Sequence, residues 1–241
     1  MVQRLSRYVD GNKKELAVIR VPTPEQELAR SQSRQREQLL AHRLRFEAQG
    51  RSLLLFNGVR IKGRWWQKAQ WVKVQTQVSA PLRELLTIIH DLLEAVQTQL
   101  SAATTRLESA ATVQPHGVGA MTSQILEREI LDWSRFKNRR QVASLTGMCP
   151  GVHASGNKTR SGPITKHGNR RIRTALIELA WRCVRFQPEY PPLKKWKLVL
   201  INPKATGAAK KKAIVAVGRR LAIDLWRINT ARSTAAKLGL K

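Results

Sequence analysis

From residue 80 to about 111, Leu82, Leu85, Leu86, Ile89, Leu92, Leu93, Val96, Leu100 and Leu107 recur at the spacing of one helix face. Thirty residues on that repeat form a rod of about 45 Å, which cannot fold back on itself and needs a companion. Residues 23–50 are the evident companion. Thr23 is an N-cap candidate, Pro24 suits the first helical position, and Glu25 and Glu27 favour the positive end of the helix dipole. The helix that follows is rich in Arg, Gln and Glu, with Leu28, Leu39, Leu40 and Leu44 as a thin apolar stripe. A long antiparallel pair with coiled-coil character is expected, together with a coiled-coil partner.

The flanking segments complete the plan. Residues 15–21 (ELAVIRV) read as a short strand closed by Pro22, too near Met1 to have its sheet neighbours in this chain. Between the two long helices, GRWWQKAQW at 63–71 interleaves three tryptophans with Arg64 and Lys68, and Lys73 follows. Such tryptophans either stack on bases or pack one helix on another. Beyond 112 come PHGVGAMTSQILEREI (115–130), helices near 138–147 and 169–186, the break QPEYPP (187–192) with a short helix through Trp196, and a helix over about 208–230. The fold class expected is therefore mainly α. With 241 residues and 42% hydrophobic content the chain buries a real core, in two units.

Charge limits the function classes. The chain carries 44 Lys+Arg against 16 Asp+Glu, a net +28, and the excess is uneven: residues 133–241 hold 25 basic and 3 acidic side chains. A polyanion partner for the C-terminal half follows, with ribosomal-type RNA binding as the plainer alternative to an enzyme on DNA. Cys149 and Cys183 make no disulfide framework, so a reducing cytoplasm is the expected location. The N-terminus has no secretory apolar region, and runs such as LLLF (53–56) are too short to span a bilayer.

The chemistry concentrates between 133 and 174. Ser155 lies between Ala154 and Gly156 in a short loop with little bulk around it, open to a large substrate and a candidate nucleophile. Lys158, Arg160, Lys166, His167, Asn169, Arg170, Arg171 and Arg173 follow, and the KHGNRRIR run at the start of a helix suits phosphate binding. His167 serves either as a proton carrier or as a phosphate contact. Gly117 and Gly119 form a Gly-x-Gly turn like that of a helix-hairpin-helix, which exposes backbone N–H groups to a phosphate, or else an ordinary tight turn. Cys149, His153, His167 and Cys183 complete no zinc pattern, Glu178, Glu189 and Asp224 are too scattered for a two-metal nuclease, and Tyr190 stands among prolines as a connector.

These pieces, namely PHGVGAMTSQIL, DWSRFKNRRQVASLTGMCPGVHASG, TKHGNRRIRTALIELAWR and RRLAIDLWR, resemble the C-terminal domain of the insertion sequence 110 family, the bacterial DEDD transposases. RVPTPEQELARSQSRQREQLLAHRLRF resembles the same family's linker and coiled-coil helix. The resemblance implies three regions: 1–22 as the remnant of a RuvC-like α/β domain, 23–112 as linker and coiled-coil helices, and 113–241 as a helical transposase domain. It implies that Ser155 attacks DNA and that the partners are element ends, target DNA, a structured guide RNA and further copies of the chain, in a cytoplasmic, nucleoid-associated setting. The family's divalent metal, Mg, is held by four acidic residues of its RuvC-like domain. Asp10 and Glu15 do not match that set, so no metal ligand or cofactor is expected within this chain. The resemblance thus suggests an N-terminally truncated transposase, inactive alone, or a nucleic-acid-binding protein that inhibits a full-length relative.

Overall fold

The structure, a computed structural model, describes residues 2–13, 15–16, 21–110, 117–156 and 158–240. The centre of the strand expected over 15–21, residues 17–20, lies outside them. Near the N-terminus a short exposed helix, α1 (Val2–Val9), buries none of its residues.

Helix α2 (Pro24–Phe56) begins as its sequence dictates. Thr23 accepts the Gln26 backbone N–H, and the Gln26 side chain accepts the Thr23 N–H at 3.0 Å, a reciprocal cap ahead of Pro24. The helix does not stop near Gly50. The indole of Trp65 lies against that glycine, where any Cβ would overlap the ring, so Gly50 serves packing and the helix runs on to Phe56, with Asn57 as its C-cap and left-handed Gly58 beyond. Helices α3 (Lys68–Gln77) and α4 (Ala80–Ser109) follow. Arg36 donates to the Thr104 hydroxyl (2.8 Å) and Arg43 to the Gln97 side chain (3.2 Å), so α2 and α4 run antiparallel.

The free end of this arm has its own core of Leu54, Trp65, Trp66, Trp71, Val74, Leu82, Leu86, Ile89 and Leu93. Trp65 donates its indole N–H to the Glu47 carbonyl (2.9 Å), and Trp71 stacks on the His90 ring with centroids 4.4 Å apart. The tryptophans are thus consumed in helix packing rather than offered to bases.

The C-terminal unit comprises α5 (Ala120–Ile130), α6 (Arg139–Thr146), β1 (Pro150–Ser155), β2 (Lys158–Ile164), α7 (Arg170–Phe186), α8 (Pro191–Ile201), α9 (Gly207–Asn229) and a final 3₁₀ turn (Ala236–Leu238). Buried Ile172, Leu176, Leu179 and Cys183 on α7 meet Ala213, Ile214, Val217 and Leu221 on α9, and α5, α6 and α8 close over the pair. Burial pushes the Cys183 thiol up to about 11. Tyr190 belongs to this core too. Its hydroxyl donates to buried Asp224 (2.8 Å), which also accepts from Arg220 and Arg227, and burial first and the Asp224 charge second push the phenol far above its usual value.

Arm and domain are joined by charge. Arg30 donates to the carbonyls of Arg128 and Glu129, at the end of α5, and Arg128 returns a bond to the Ala29 carbonyl (2.7 Å). Desolvation pulls the Arg128 guanidinium below its usual value. At the centre lies the Glu129 carboxylate, on a side chain only 2% exposed, which accepts from Arg34 and from Asn169.

Candidate nucleic-acid interface

Where the sequence suggests only a loop around Ser155, the chain forms a two-stranded antiparallel ribbon. Ser155 ends β1 opposite Lys158, His153 stands opposite Arg160, and Ala154 and Val152 face Thr159 and Ser161. Directly opposed residues share a face and neighbours alternate, so His153, Ser155, Lys158 and Arg160 line one side of the ribbon and Val152, Ala154, Thr159 and Ser161 the other. Nearly every residue of the ribbon is exposed, and residues 150–168 contain no acidic side chain. Gly156, at φ +54°, begins the turn between the strands.

A solvated hairpin has too little core to stand alone, so its root is what positions it. Gly147 ends α6 in the left-handed conformation, and Gly168 presses so close that a Cβ there would overlap the Leu145 carbonyl and the Gly147 nitrogen. Across this contact Thr165 donates to Cys149 (2.9 Å), Lys166 to Gly147 (3.0 Å) and Asn169 to Leu145 (2.8 Å), all through backbone groups. The SLTG and KHGN segments are therefore two halves of one clamp that holds the ribbon away from the domain.

The sequence candidates divide into three groups. Ser155, Lys158 and Arg160 come together at the tip. Lys166 and His167 stay exposed at the root, with Lys166 at φ +58°. The tip pair and the root pair Pro150–Ile164 are five residues apart along β1, about 16 Å, so His167 does not reach Ser155 in this conformation. The third group serves the fold. Asn169 caps α7 by accepting from the backbone of Arg171 and Ile172 and donates to Glu129. Arg171 bonds Glu37 (2.6 Å), and Arg173 bonds the carbonyls of Thr146 and Lys166. Of the KHGNRRIR cations in the helix, Arg170 is the exposed one.

Gly117 and Gly119 lie at the far end of α7, about 20 Å from Arg170 by helix rise. A Cβ on Gly117 would press on Phe186, and one on Gly119 would overlap the Arg182 guanidinium. Both glycines have a packing reason, although Gly119 still opens α5 without a side-chain cap.

His153 is the functional candidate that a loop reading hides. Its ring rests over Gly162, where a Cβ would sit 3.4 Å from Nε2, on the face that carries Ser155. The signal was available: Gly156-Asn157 between two short runs is a hairpin turn pair, and period two then puts positions 153, 155, 158 and 160 together. Glu178 lines a pocket beside α7 with Glu37 and Glu129, among Arg36, Arg170, Arg171 and Arg182. Glu189 pairs with Lys194, Asp224 is enclosed with Tyr190, and among the described residues no three His, Cys, Asp or Glu side chains come close enough to hold a metal ion.

Comparison with known proteins points to the same segment. Residues 113–193, which run from the Gly-x-Gly turn through the ribbon and α7, match the transposase family IS116/IS110/IS902. The chain is similar to a protein of Sinorhizobium fredii named as a transposase, y4rJ, at 31% identity over 94% of this chain and 63% of the relative. A Pseudomonas aeruginosa protein named as a family 20 transposase is 27% identical over 68% of the chain and 53% of its own length. The transposase for insertion sequence element IS1111A of Coxiella burnetii is 30% identical over 49% of the chain and 32% of its own length. The chain spans about three-fifths of the length of the first two curated relatives that it matches. No helix among the described residues is long and apolar enough to cross a membrane.

Proposed function

We propose that this chain is the DNA-binding and strand-transfer part of an insertion-sequence transposase of the IS110 type, with Ser155 as its nucleophile. The observation that carries the reading is an exposed serine at the tip of an acid-free ribbon, directly opposite Lys158 and sharing a face with Arg160 and His153. A hairpin raised clear of the domain delivers a hydroxyl to a phosphodiester that a flat surface would hold at a distance. Lys158 and Arg160 bind the non-bridging oxygens and offset the charge that grows on them. The Ser155 Oγ–phosphorus bond forms as the bond from phosphorus to the leaving sugar oxygen breaks; the serine proton departs to a base and the leaving oxygen takes up a proton.

The family's divalent metal would stabilise that leaving oxygen. The described residues of this chain do not fit it: their carboxylates are paired, buried or dispersed, so no step here runs through a metal. Element ends, target DNA and a structured guide RNA are the partners the reading requires. A second copy would pack along Leu85, Ile88 and Leu92, apolar residues left exposed on α4 at three- and four-residue spacing.

A nicked suicide DNA duplex tests the reading. In a form extended to the full length of its relatives, the wild-type sequence and Ser161→Ala, changed on the ribbon's other face, should form a covalent protein–DNA adduct that Ser155→Ala does not. An adduct that survives in Ser155→Ala overturns the assignment. Binding without any adduct in that extended wild type favours the second reading, a non-catalytic nucleic-acid-binding protein.

A further inference from the structure

Between Glu189 and Asp224 the chain holds nine Lys and Arg residues and no acidic one. Structure turns that run into a surface. Helix α8 buries Leu193 and Leu200, α9 buries Ala213, Ile214 and Val217, and the cations are left on the solvent side of the corner where residues 202–206 join the two helices. Lys194 is matched by Glu189 at 2.7 Å. Lys197, Lys204, Lys211 and Lys212 are exposed, and among the described residues none of the four makes an ion pair.

Lys211 and Lys212 continue a run of cations that crowds the N-terminal part of α9. Thr206 caps α9, its first turn holds no acidic residue, and three successive lysines at 210–212 follow directly, near the end where the helix dipole disfavours cations. The same chain puts Glu25 and Glu27 in the first turn of α2, where the dipole favours them. Helices α6 and α7, like α9, have no acidic residue in the first turn and open on arginines, so the lysines of α9 belong to a basic bias shared across the C-terminal unit.

We propose that the α8–α9 corner is a second polyanion surface, which grips the sugar–phosphate backbone of a nucleic-acid duplex separately from the ribbon. The side chains indicate the type of contact. Lysines are point charges that take phosphates without reading base edges, whereas base recognition favours the planar fork of arginine. A single strand would need stacking platforms, and Trp196 of α8 instead packs against the domain core. The two surfaces are distinct: Gly218 of α9 packs near Met148, just before β1, while Gly207 at the corner lies eleven residues, about 16 Å, up the same helix. A ligand held at both places is oriented as well as bound.

This inference rests on the nucleic-acid reading above, and salt dependence separates the two. Lys204→Ala/Lys211→Ala/Lys212→Ala and Lys158→Ala/Arg160→Ala are compared with wild type on a DNA duplex and an RNA duplex of equal length. Each phosphate contact contributes about 0.9 to the slope of log K against log salt, so the triple variant should lose roughly 2 to 3 from it, independently of the ribbon variant. The matching Lys→Arg triple should regain the slope. A loss on DNA identifies element or target DNA as the occupant, and a loss on RNA alone identifies a structured RNA. An unchanged slope on both duplexes, with the Ser155 adduct still formed by the extended form, overturns the corner surface and leaves the ribbon reading intact. A reduced slope with no adduct from the extended form overturns the nucleophile and leaves the corner in place.

Discussion

Removing the Glu129 carboxylate should loosen the arm from the domain and the ribbon root along with it. That side chain is 2% exposed and accepts from Asn169 Nδ2 at 2.8 Å and Arg34 Nε at 3.4 Å, with Arg171 Nε at 3.9 Å. The Asn169 bond is a partly buried hydrogen bond to a charged group, worth about 1.5–3 kcal/mol. The two arginines are 32% and 40% exposed, can turn into water when their partner goes, and contribute about 0–1 kcal/mol each. Glu129→Ala should therefore cost about 2–4 kcal/mol, below the 3–5 kcal/mol of an ion pair broken with both partners buried. Glu129→Gln keeps an acceptor for Asn169 and should cost about half as much. Urea unfolding measures both, and a double-mutant cycle with Asn169→Ala isolates the link to the α7 cap, with an expected coupling of about 1–2 kcal/mol. The amides of Thr165 and Lys166 at the ribbon root should exchange faster in Glu129→Ala, because Asn169 sits in the same clamp. Stability within about 0.5 kcal/mol of wild type, or zero coupling to Asn169, would refute the reasoning.

Three further outcomes follow from the packing. Gly168→Ala should open the clamp, cost about 1–3 kcal/mol and flatten the salt dependence of DNA binding, since its Cβ overlaps the Leu145 carbonyl; unchanged exchange at Thr165 would contradict this. Tyr190→Phe deprives Asp224 of its hydroxyl donor and should lower stability by about 1–3 kcal/mol in urea unfolding, while a neutral result would mean that Arg220 and Arg227 suffice. Cys183, raised from 9.0 to about 11, binds its proton more tightly folded than unfolded, so its contribution to stability is complete below about pH 9 and lost as pH rises toward 11. Cys183→Ala should flatten that alkaline decline, and iodoacetamide should label half-exposed Cys149 in the native protein but Cys183 only after unfolding, the reverse order being contrary evidence.

Much of the helical plan was legible because its causes are local. The Thr23 cap, the dipole-matched Glu25 and Glu27, the apolar repeat of α4, the helix opening at Asn169 and the break at QPEYPP each act within a few residues, over which the chain is its own environment. Charge asymmetry was equally plain, since net charge needs no fold. The ribbon was encoded in Gly156-Asn157 but masked by the serine's resemblance to a simple loop residue.

Tertiary structure alone decided how identical side chains were used. Arg170 and Arg171 are neighbours in one basic run, yet Arg170 faces solvent and Arg171 meets Glu37, 134 residues earlier in the chain. Gly50, about where the first long helix was expected to end, became the seat of Trp65; Glu129, unremarked in a helix of mixed polarity, became the joint between arm and domain. Helix start, stop and face depend on residues three or four apart, whereas the partner of a guanidinium or an indole depends on which distant segments the core brings together. In this chain the sequence alone determined where helices run and where cations concentrate, and packing decided which cations stay free for a phosphate.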